Sequence, residues 1–335
     1  MSTARPGDSD HEPPPQRGGA LPAARQLVAI VGPTATGKSA LAVRLAEQLG
    51  GEVVNADSRQ VYRGMEIGTA KPSAEELGRI RHHIIDVIDP DETFSLGSYL
   101  DLAHAALDGC WSRGALPILA GGTGQYVWAL LEGWQVPRVP PDAGLRAELE
   151  AQAERDGPQA LIEELARVDP AYAARVDSKN VRRVIRALEV YRRTGRPISA
   201  CQTRQPLDCV SVVVGLSCPR DELYRRIDAR VDAMIERGLV DEVRGLVEGG
   251  YACDLPAMSG IGYRQVCQHF AGELSLDEAI ARIKTATHRL ARTQHNWFRP
   301  DDSRIHWIDV SEDEPLEEAL RVVESKLKLS KGRRT

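Results

Sequence analysis

The stretch Leu27–Ser39, LVAIVGPTATGKS, constrains this chain more than any other. Leu27–Val31 is a short apolar run of the kind that forms a buried parallel strand. Gly32, Pro33, Thr34, Ala35, Thr36, Gly37, Lys38 and Ser39 then fit G-x-x-x-x-G-K-[ST], a phosphate-binding loop. ALAVRLAEQLG follows as a helix, with Leu41, Leu45 and Leu49 four apart and Gly50 as its stop. This order matters because loop N–H groups and a helix N-terminus together make an anion site. Lys38 adds a point charge for the terminal phosphates, and the Ser39 hydroxyl is the ligand expected for Mg²⁺. Phosphate binding follows, but the loop alone does not say whose phosphate it is.

A chain of 335 residues accommodates one large α/β domain with a smaller one inserted or appended. No apolar run is long enough to span a bilayer, so no membrane partner is expected. Residues 1–26 hold Pro13-Pro14-Pro15, several glycines and balanced charge, and are expected to be disordered. The cysteines at 110, 201, 209, 218, 253 and 267 form no C-x-x-C pair and no metal spacing. Reduced thiols in a cytoplasmic protein are the expectation. The net charge of −5 argues only weakly against nucleic acid, because distribution matters more than the sum.

Glu52–Ala56 reads as a second strand, ending in Asp57-Ser58-Arg59-Gln60 just beyond its carboxyl end, where ligands gather in α/β folds. A carboxylate there serves as metal ligand, general base or helix N-cap. The neighbouring phosphate loop favours chemistry. Ile67–Pro72 is loop-like and offers Thr69 and Lys71 as phosphate or backbone contacts. His82–Asp89 reads as a third strand whose adjacent histidines face opposite ways and are structural. Tyr99–Trp111 makes an amphipathic helix with Tyr99, Leu102, Ala106 and Cys110 on one side. Leu116–Ala120 is a fourth strand running into Gly121-Gly122-Thr123-Gly124-Gln125-Tyr126. The glycines there permit close approach of a backbone or ligand.

Between Pro137 and Pro206 strand–helix alternation gives way to helices alone, so 137–206 reads as a helical insertion into a core of 27–136 and 207–325. Its long helix, Ser178–Thr194, buries Val181, Val184, Ile185, Leu188 and Tyr191 and stops at Gly195. From Arg175 to Gln205 nine Lys/Arg stand against two acids, a footprint suited to a phosphate backbone. Ala281–Arg299 adds five Lys/Arg, two His and no acid. Val210–Leu216, a helix over Asp221–Arg237 with Gly238 as its stop, and an edge strand at His306–Val310 complete the core. Residues 326–335 form a basic, mobile tail with no Cys/His spacing for zinc.

GPTATGKS, DSRQVYRGMEIGTAKP and GGTGQY, in this order, together resemble the bacterial tRNA dimethylallyltransferases (tRNA isopentenyltransferases). RVIRALEVYRRTGRPIS at 183–199, ARVDAMIERGLVDEV at 229–243, SGIGYRQ at 259–265 and Gln294…Trp297-Phe298-Arg299 extend the resemblance from about Leu27 to about Val310. The resemblance implies an α/β fold, a P-loop NTPase-like parallel sheet core with an all-helical insertion domain. It also implies transfer of a dimethylallyl group from its diphosphate to the adenine 3′ of the anticodon, with Mg²⁺, by a monomer. Asp57 matches the family's general base, or serves base recognition instead, and Thr34 matches its diphosphate-contacting threonine. Arg230, with Arg226 as the second candidate, matches the arginine that caps the leaving group, and Lys38 completes the catalytic set. Ser58, Arg59 and Gln60 are expected to contact the target base. Thr123, Arg146, Arg182, Arg183, Arg186 and the segment with Gly262, Tyr263, Arg264 and Gln265 match tRNA-contacting positions. Gln125 departs from the family's usual leucine, and His288 and Thr293 from its frequent arginines. Two other functions share some of these marks. A small-molecule P-loop kinase would consume ATP and have no need of the basic insertion; an adenylate isopentenyltransferase would share the chemistry without that charge.

Overall fold

The computed structural model describes residues 24–311 and 315–327. From Gln26–Val31 (β1) the chain passes through Lys38–Leu49 (α1), Gly51–Asn55 (β2), Ala74–Arg79 (α2), the two-residue His82–His83 (β3) and Leu96–Ser112 (α3). Leu116–Ala120 (β4) leads into Gly124–Leu131 (α4). Five helices follow: Ala143–Asp156 (α5), Pro158–Val168 (α6), Pro170–Ala173 (α7), Val181–Thr194 (α8) and Ile198–Cys201 (α9). Val210–Ser217 (β5) resumes the sheet. Arg220–Glu236 (α10), Leu239–Glu248 (α11), Tyr263–Phe270 (α12), Leu276–Gln294 (α13), Ile305–Asp309 (β6) and Pro315–Leu327 (α14) complete the fold.

All strands are parallel, in the order β3-β2-β4-β1-β5-β6. Helices cover both faces, which is why β1 is apolar without alternation. Leu27, Ala29 and Val31 pack with α3, α4 and α10 to α13 on one side; Val28 and Ile30 pack with α1 and α14 on the other. The strand order places the loops after β1, β2 and β4 side by side at the carboxyl edge of the sheet, the usual place for a ligand.

Helices α5 to α9 enclose a cluster of their own, including Leu149, Leu161, Leu165, Ile185, Leu188 and Ile198. Two chain segments tie it to the core, with Gln135 N donating to Thr203 O (2.8 Å) and Gln205 N to Gly133 O (2.8 Å). A Cβ at Gly133 would lie 1.7 Å from Gln205 O, so only glycine permits this neck. Glu189 is fully buried at the edge of the cluster and accepts from both Arg146 (Nε, 2.8 Å) and Arg186. Burial pushes the Glu189 carboxyl up, and the two guanidinium groups outweigh it and hold it below the usual range.

Several expectations need correction. The third strand stops after His83 because Ile84 and Asp86 take φ of 64° and 55°, which no strand accepts. Leu102 is exposed; α3 buries Leu100, Ala103 and Leu107 beside Tyr99, Ala106 and Cys110. Helix α8 begins at Val181, where the Asn180 side chain caps Arg183 N, and ends as expected at Gly195. Gln26 already belongs to β1 and Lys326 to α14, while residues 1–23 and 328–335 of the two expected tails lie outside the described residues. The cysteines are not all thiols. The turn between α11 and α12 brings Cys253 against Cys267, Cα atoms 5.9 Å apart, and the two form a disulfide.

His83 is structural, as its strand position suggested. Its Nε2 lies 2.7 Å from Glu52 Oε2, which Arg113 also grips (Nε to Oε1 2.9 Å, Nη2 to Oε2 2.7 Å). Arg113 holds the Glu52 carboxyl down at about 2, and burial with that carboxylate pushes the adjacent Cys110 thiol up to about 12. A metal here would need the thiolate and would have to displace the guanidinium. The group is a satisfied ionic knot.

Candidate active site

The phosphate loop is braced from within. Gly32 has φ of 132° and a Cβ there would sit 2.4 Å from Leu216 O, so β5 fixes this position as glycine. Thr36 Oγ1 and Lys38 Nζ both donate to Pro33 O, at 2.9 and 2.7 Å. Helix α1 starts at Gly37 with no side-chain cap and no acid in its first turn, so its positive end is left for an external anion. Burial, then the nearby Arg230 charge, lowers Lys38 to about 8, against a smaller upward pull from Asp57. Arg230 reaches from α10 to donate from Nη1 to Thr34 Oγ1 (3.2 Å), and burial lowers its pKa while Asp57 raises it. Neither cation has a carboxylate ion pair among the described residues. Arg226, the second candidate, is occupied by Glu222 (2.7 Å).

Asp57 forms no helix cap. Its Oδ1 accepts from Arg59 N (2.8 Å) in a tight turn, and its backbone N donates to Asn55 Oδ1 (3.1 Å). Oδ2 has no hydrogen bond among the described residues and is the oxygen free for a substrate. Ser58 N donates to Thr123 Oγ1 (3.0 Å), joining the loop after β2 to the loop after β4. Arg59 donates to Pro256 O (3.1 Å) and Ser259 Oγ (3.4 Å), joining it also to the 259–265 segment.

Two clefts meet here. One, of about 270 Å³, is lined by Lys38, Ser39, Asn55, Gln60 and Lys71. The other, of about 400 Å³, has apolar walls from Ile227, Val231, Met234, Ile283 and Leu290. Thr34, Ala35, Asp57, Thr69, Gly122 and Arg230 line both. An anion on the loop and an apolar group beside it therefore share one wall, with a carboxylate in that wall. The side-chain ligands lining the anion side are oxygens, the Ser39 hydroxyl and the Asp57 carboxylate among them, which suits a hard ion completed by water and phosphate.

The remaining residues divide. Ser58, Arg59, Thr123, Gly262, Gln125 and Thr293 line the larger cleft. Gln60 lies on the phosphate side, its amide donating to Thr69 O and Ala70 O (3.2 and 3.1 Å). Tyr263 is buried, donating to Glu242 (2.6 Å) instead of facing the cleft. The same carboxylate accepts three successive backbone N–H groups, from Glu66, Ile67 and Gly68 (2.9, 2.6 and 3.1 Å). Gln265 caps Gly262 N (2.9 Å) and Arg264 is exposed. Lys71 is taken up by Tyr62 O (2.6 Å), Glu66 and Asp86. His288 lies against Asp228 (2.9 Å) and stacks on Tyr224.

On the insertion, Arg146 and Arg186 are engaged with Glu189, while Arg182 and Arg183 are exposed with no ion pair among the described residues. Gln294 is the site residue that residue-type reasoning passed over. Its Oε1 accepts from Thr34 N (2.8 Å) and its Nε2 donates to Gly122 O (3.0 Å). The glycine pair after β4 was the available signal, since a Cβ at Gly122 would fall 2.2 Å from Gln294 Nε2.

The IPP transferase family model matches residues 60–301, and the isopentenyl transferase model matches residues 25–92. The chain is 57% identical over 273 residues to the tRNA dimethylallyltransferase of Roseiflexus sp. (strain RS-1), spanning 82% of this chain and 90% of that one. The chain belongs to the tRNA dimethylallyltransferase family. Its fold is also that of the tRNA isopentenylpyrophosphate transferase of Bacillus halodurans, with 41% identity, TM-score 0.68, and 91% and 97% of the two chains covered. A eukaryotic dimethylallyltransferase solved while acting on tRNA is similar at 26% identity, TM-score 0.73, over 90% of this chain and 76% of that one.

Proposed function

We propose that this chain transfers a dimethylallyl group from dimethylallyl diphosphate to the exocyclic amine of the adenine 3′-adjacent to the anticodon in tRNA, releasing diphosphate. The observation that carries this reading is the wall common to the two clefts, which sets a carboxylate between a phosphate cradle and an apolar pocket.

As the allylic C–O bond breaks, negative charge builds on the diphosphate. Lys38, Arg230 and the loop amides meet that charge, and one such preorganised donor contributes on the order of 3 kcal/mol. Mg²⁺, held through Ser39 with phosphate oxygens, would supply further neutralisation of the leaving group. Thr34 holds Arg230 to the loop, so both cations border the phosphate-side cleft. The adenine amine is weakly basic, and Asp57 Oδ2 takes its proton as the C–N bond forms. The stacked target base has to leave its loop to reach this space, and Ser58, Arg59 and Thr123 line the cleft that receives it. Arg182 and Arg183 hold the phosphate backbone of the anticodon arm. The enzyme works as a monomer in the cytoplasm; no helix among the described residues is long and apolar enough to cross a membrane.

The test is incubation of the purified protein with labelled dimethylallyl diphosphate and an unmodified tRNA transcript, followed by nucleoside analysis. Dimethylallyl-adenosine in the tRNA digest, and none on free AMP, is the expected result. Rapid ATP hydrolysis without prenylated nucleoside would instead favour a kinase.

A further inference from the structure

The C-terminal turn of α13 touches both halves of the site through one side chain. Gln294 is 7% exposed, and each end of its amide is used: Oε1 on Thr34 N of the phosphate loop, Nε2 on Gly122 O of the loop after β4. The second loop carries Thr123, whose hydroxyl accepts from Ser58 N, the residue after Asp57. Hydrogen bonds thus tie the donor's cradle to the loop after β4, and that loop to the one carrying Asp57. Its geometry is enforced by sequence. A Cβ at Gly122 would meet Gln294 at 2.2 Å, and one at Gly124 would meet Trp297 at 2.3 Å. Just past the turn, Trp128 Nε1 donates to Trp297 O (2.8 Å) and holds the end of α13 against α4.

We propose that Gln294 is a positioning residue that sets the spacing between leaving group and acceptor, and thereby decides whether the allyl group goes to adenine or to water. The inference rests on the transfer reaction proposed above. When the C–O bond breaks, its electron pair leaves with the diphosphate. The allyl cation then forms a C–N bond with the adenine amine, whose proton goes to Asp57, or a C–O bond with water, giving dimethylallyl alcohol and a proton to solvent. Both routes need the cradle; only the first needs the amine within bonding reach. A change of about 1 Å between reacting groups is enough to cost roughly a hundredfold in rate. Loosening the Gln294 link therefore slows capture by the amine more than it slows ionisation.

The experiment compares full-length wild type, Gln294→Leu, Gln294→Glu and Gly122→Ala with labelled dimethylallyl diphosphate and unmodified tRNA, counting dimethylallyl alcohol against prenylated adenosine. Gln294→Leu removes both hydrogen bonds, and Gly122→Ala attacks the same contact from the other side, so a poorly folded Leu variant leaves the question to the Ala variant. Both are expected to raise the alcohol-to-product ratio roughly tenfold or more, with tRNA affinity unchanged. Gln294→Glu keeps the acceptor for Thr34 N but loses the donor to Gly122 O, and should fall between. A ratio equal to wild type in all variants, whatever their total turnover, overturns the proposal. If wild type itself gives no prenylated adenosine, the transfer reaction is wrong and this inference falls with it.

Discussion

The core cleft and the helical insertion are both rich in cations but treat them in opposite ways. In the cleft, Lys38 and Arg230 are half-buried and have no carboxylate ion pair among the described residues, resting on Pro33 O and Thr34 Oγ1. Burial makes their charge costly, and an anion bound at the loop would offset that cost. In the insertion, Arg146 and Arg186 lie on Glu189, Arg192 on Glu148 and Glu164, and Arg193 on Asp142. Much of that local surplus of positive charge is therefore internal scaffolding. Arg182 and Arg183 are what remain exposed on the face of α8 with no ion pair among the described residues. Charge density alone does not distinguish a binding surface from a salt-bridged frame; the partners do.

The sharpest test of the cleft is Asp57→Asn, which keeps a hydrogen-bond acceptor but not a base. Turnover should fall roughly a hundredfold to ten-thousandfold with tRNA affinity near wild type, as read by the prenylation assay and by filter binding. A large loss of binding would assign the carboxylate to recognition of the base. Arg230→Ala should lower kcat about a hundredfold or more, since its charge acts on the leaving group. An effect confined to the KM for the donor would place it in ground-state binding.

The insertion should respond in stability before it responds in activity. Glu189→Ala strands two half-buried guanidinium groups and should cost about 3 kcal/mol, seen as an earlier unfolding transition in urea. By contrast, the Arg182→Ala/Arg183→Ala pair should leave folding intact and flatten the dependence of tRNA affinity on salt by roughly 1 to 2 logarithmic units. Arg186→Ala should behave as Glu189→Ala does, with the salt slope retained. If the salt slopes come out the other way round, the division between frame and binding surface is wrong.

The smallest effect concerns Lys38, lowered from 10.5 to about 8 by burial and by Arg230. The native state loses this proton at lower pH than the unfolded chain does, so stability from this group rises as pH climbs from about 8 to 10.5. Donor affinity should fall over the same climb, because a neutral amine no longer attracts diphosphate. The melting temperature and the donor KM should thus both rise across that window, and Lys38→Met should flatten both.

The parts of the molecule written in local pattern were legible in the chain: the apolar strands, the Gly32–Ser39 loop, the helix stop at Gly195 and the carboxylate at 57. What escaped was decided by distant contacts or by single backbone angles. Ile84 and Asp86 look like strand residues, yet their positive φ ends β3 after His83. Leu102 lies three residues from Tyr99, but the packing of α3 turns it to solvent and buries Leu100 and Ala103. Cys253 and Cys267 are 14 apart in no recognisable cysteine pattern, and the turn before α12 brings them together. The family resemblance counts Tyr263 in the tRNA-contacting segment, whereas its ring packs on Gly68 and its hydroxyl on Glu242. Gln294 reads as one more polar residue on a basic helix until the loop after β4 is seen to fold around it.

The carboxylate of Glu242 has one further consequence. Three consecutive amides pointing at one spot are what a protein offers an oxyanion, and at residues 66–68 that spot is already plugged by a side chain of the molecule itself, with Tyr263 keeping the plug in. The region thus contains two receptors for negative charge, one opening on the cleft and one self-occupied. For the transfer reaction proposed above, the diphosphate is therefore expected at the Gly32–Ser39 loop, with its hydrocarbon end toward the apolar cleft.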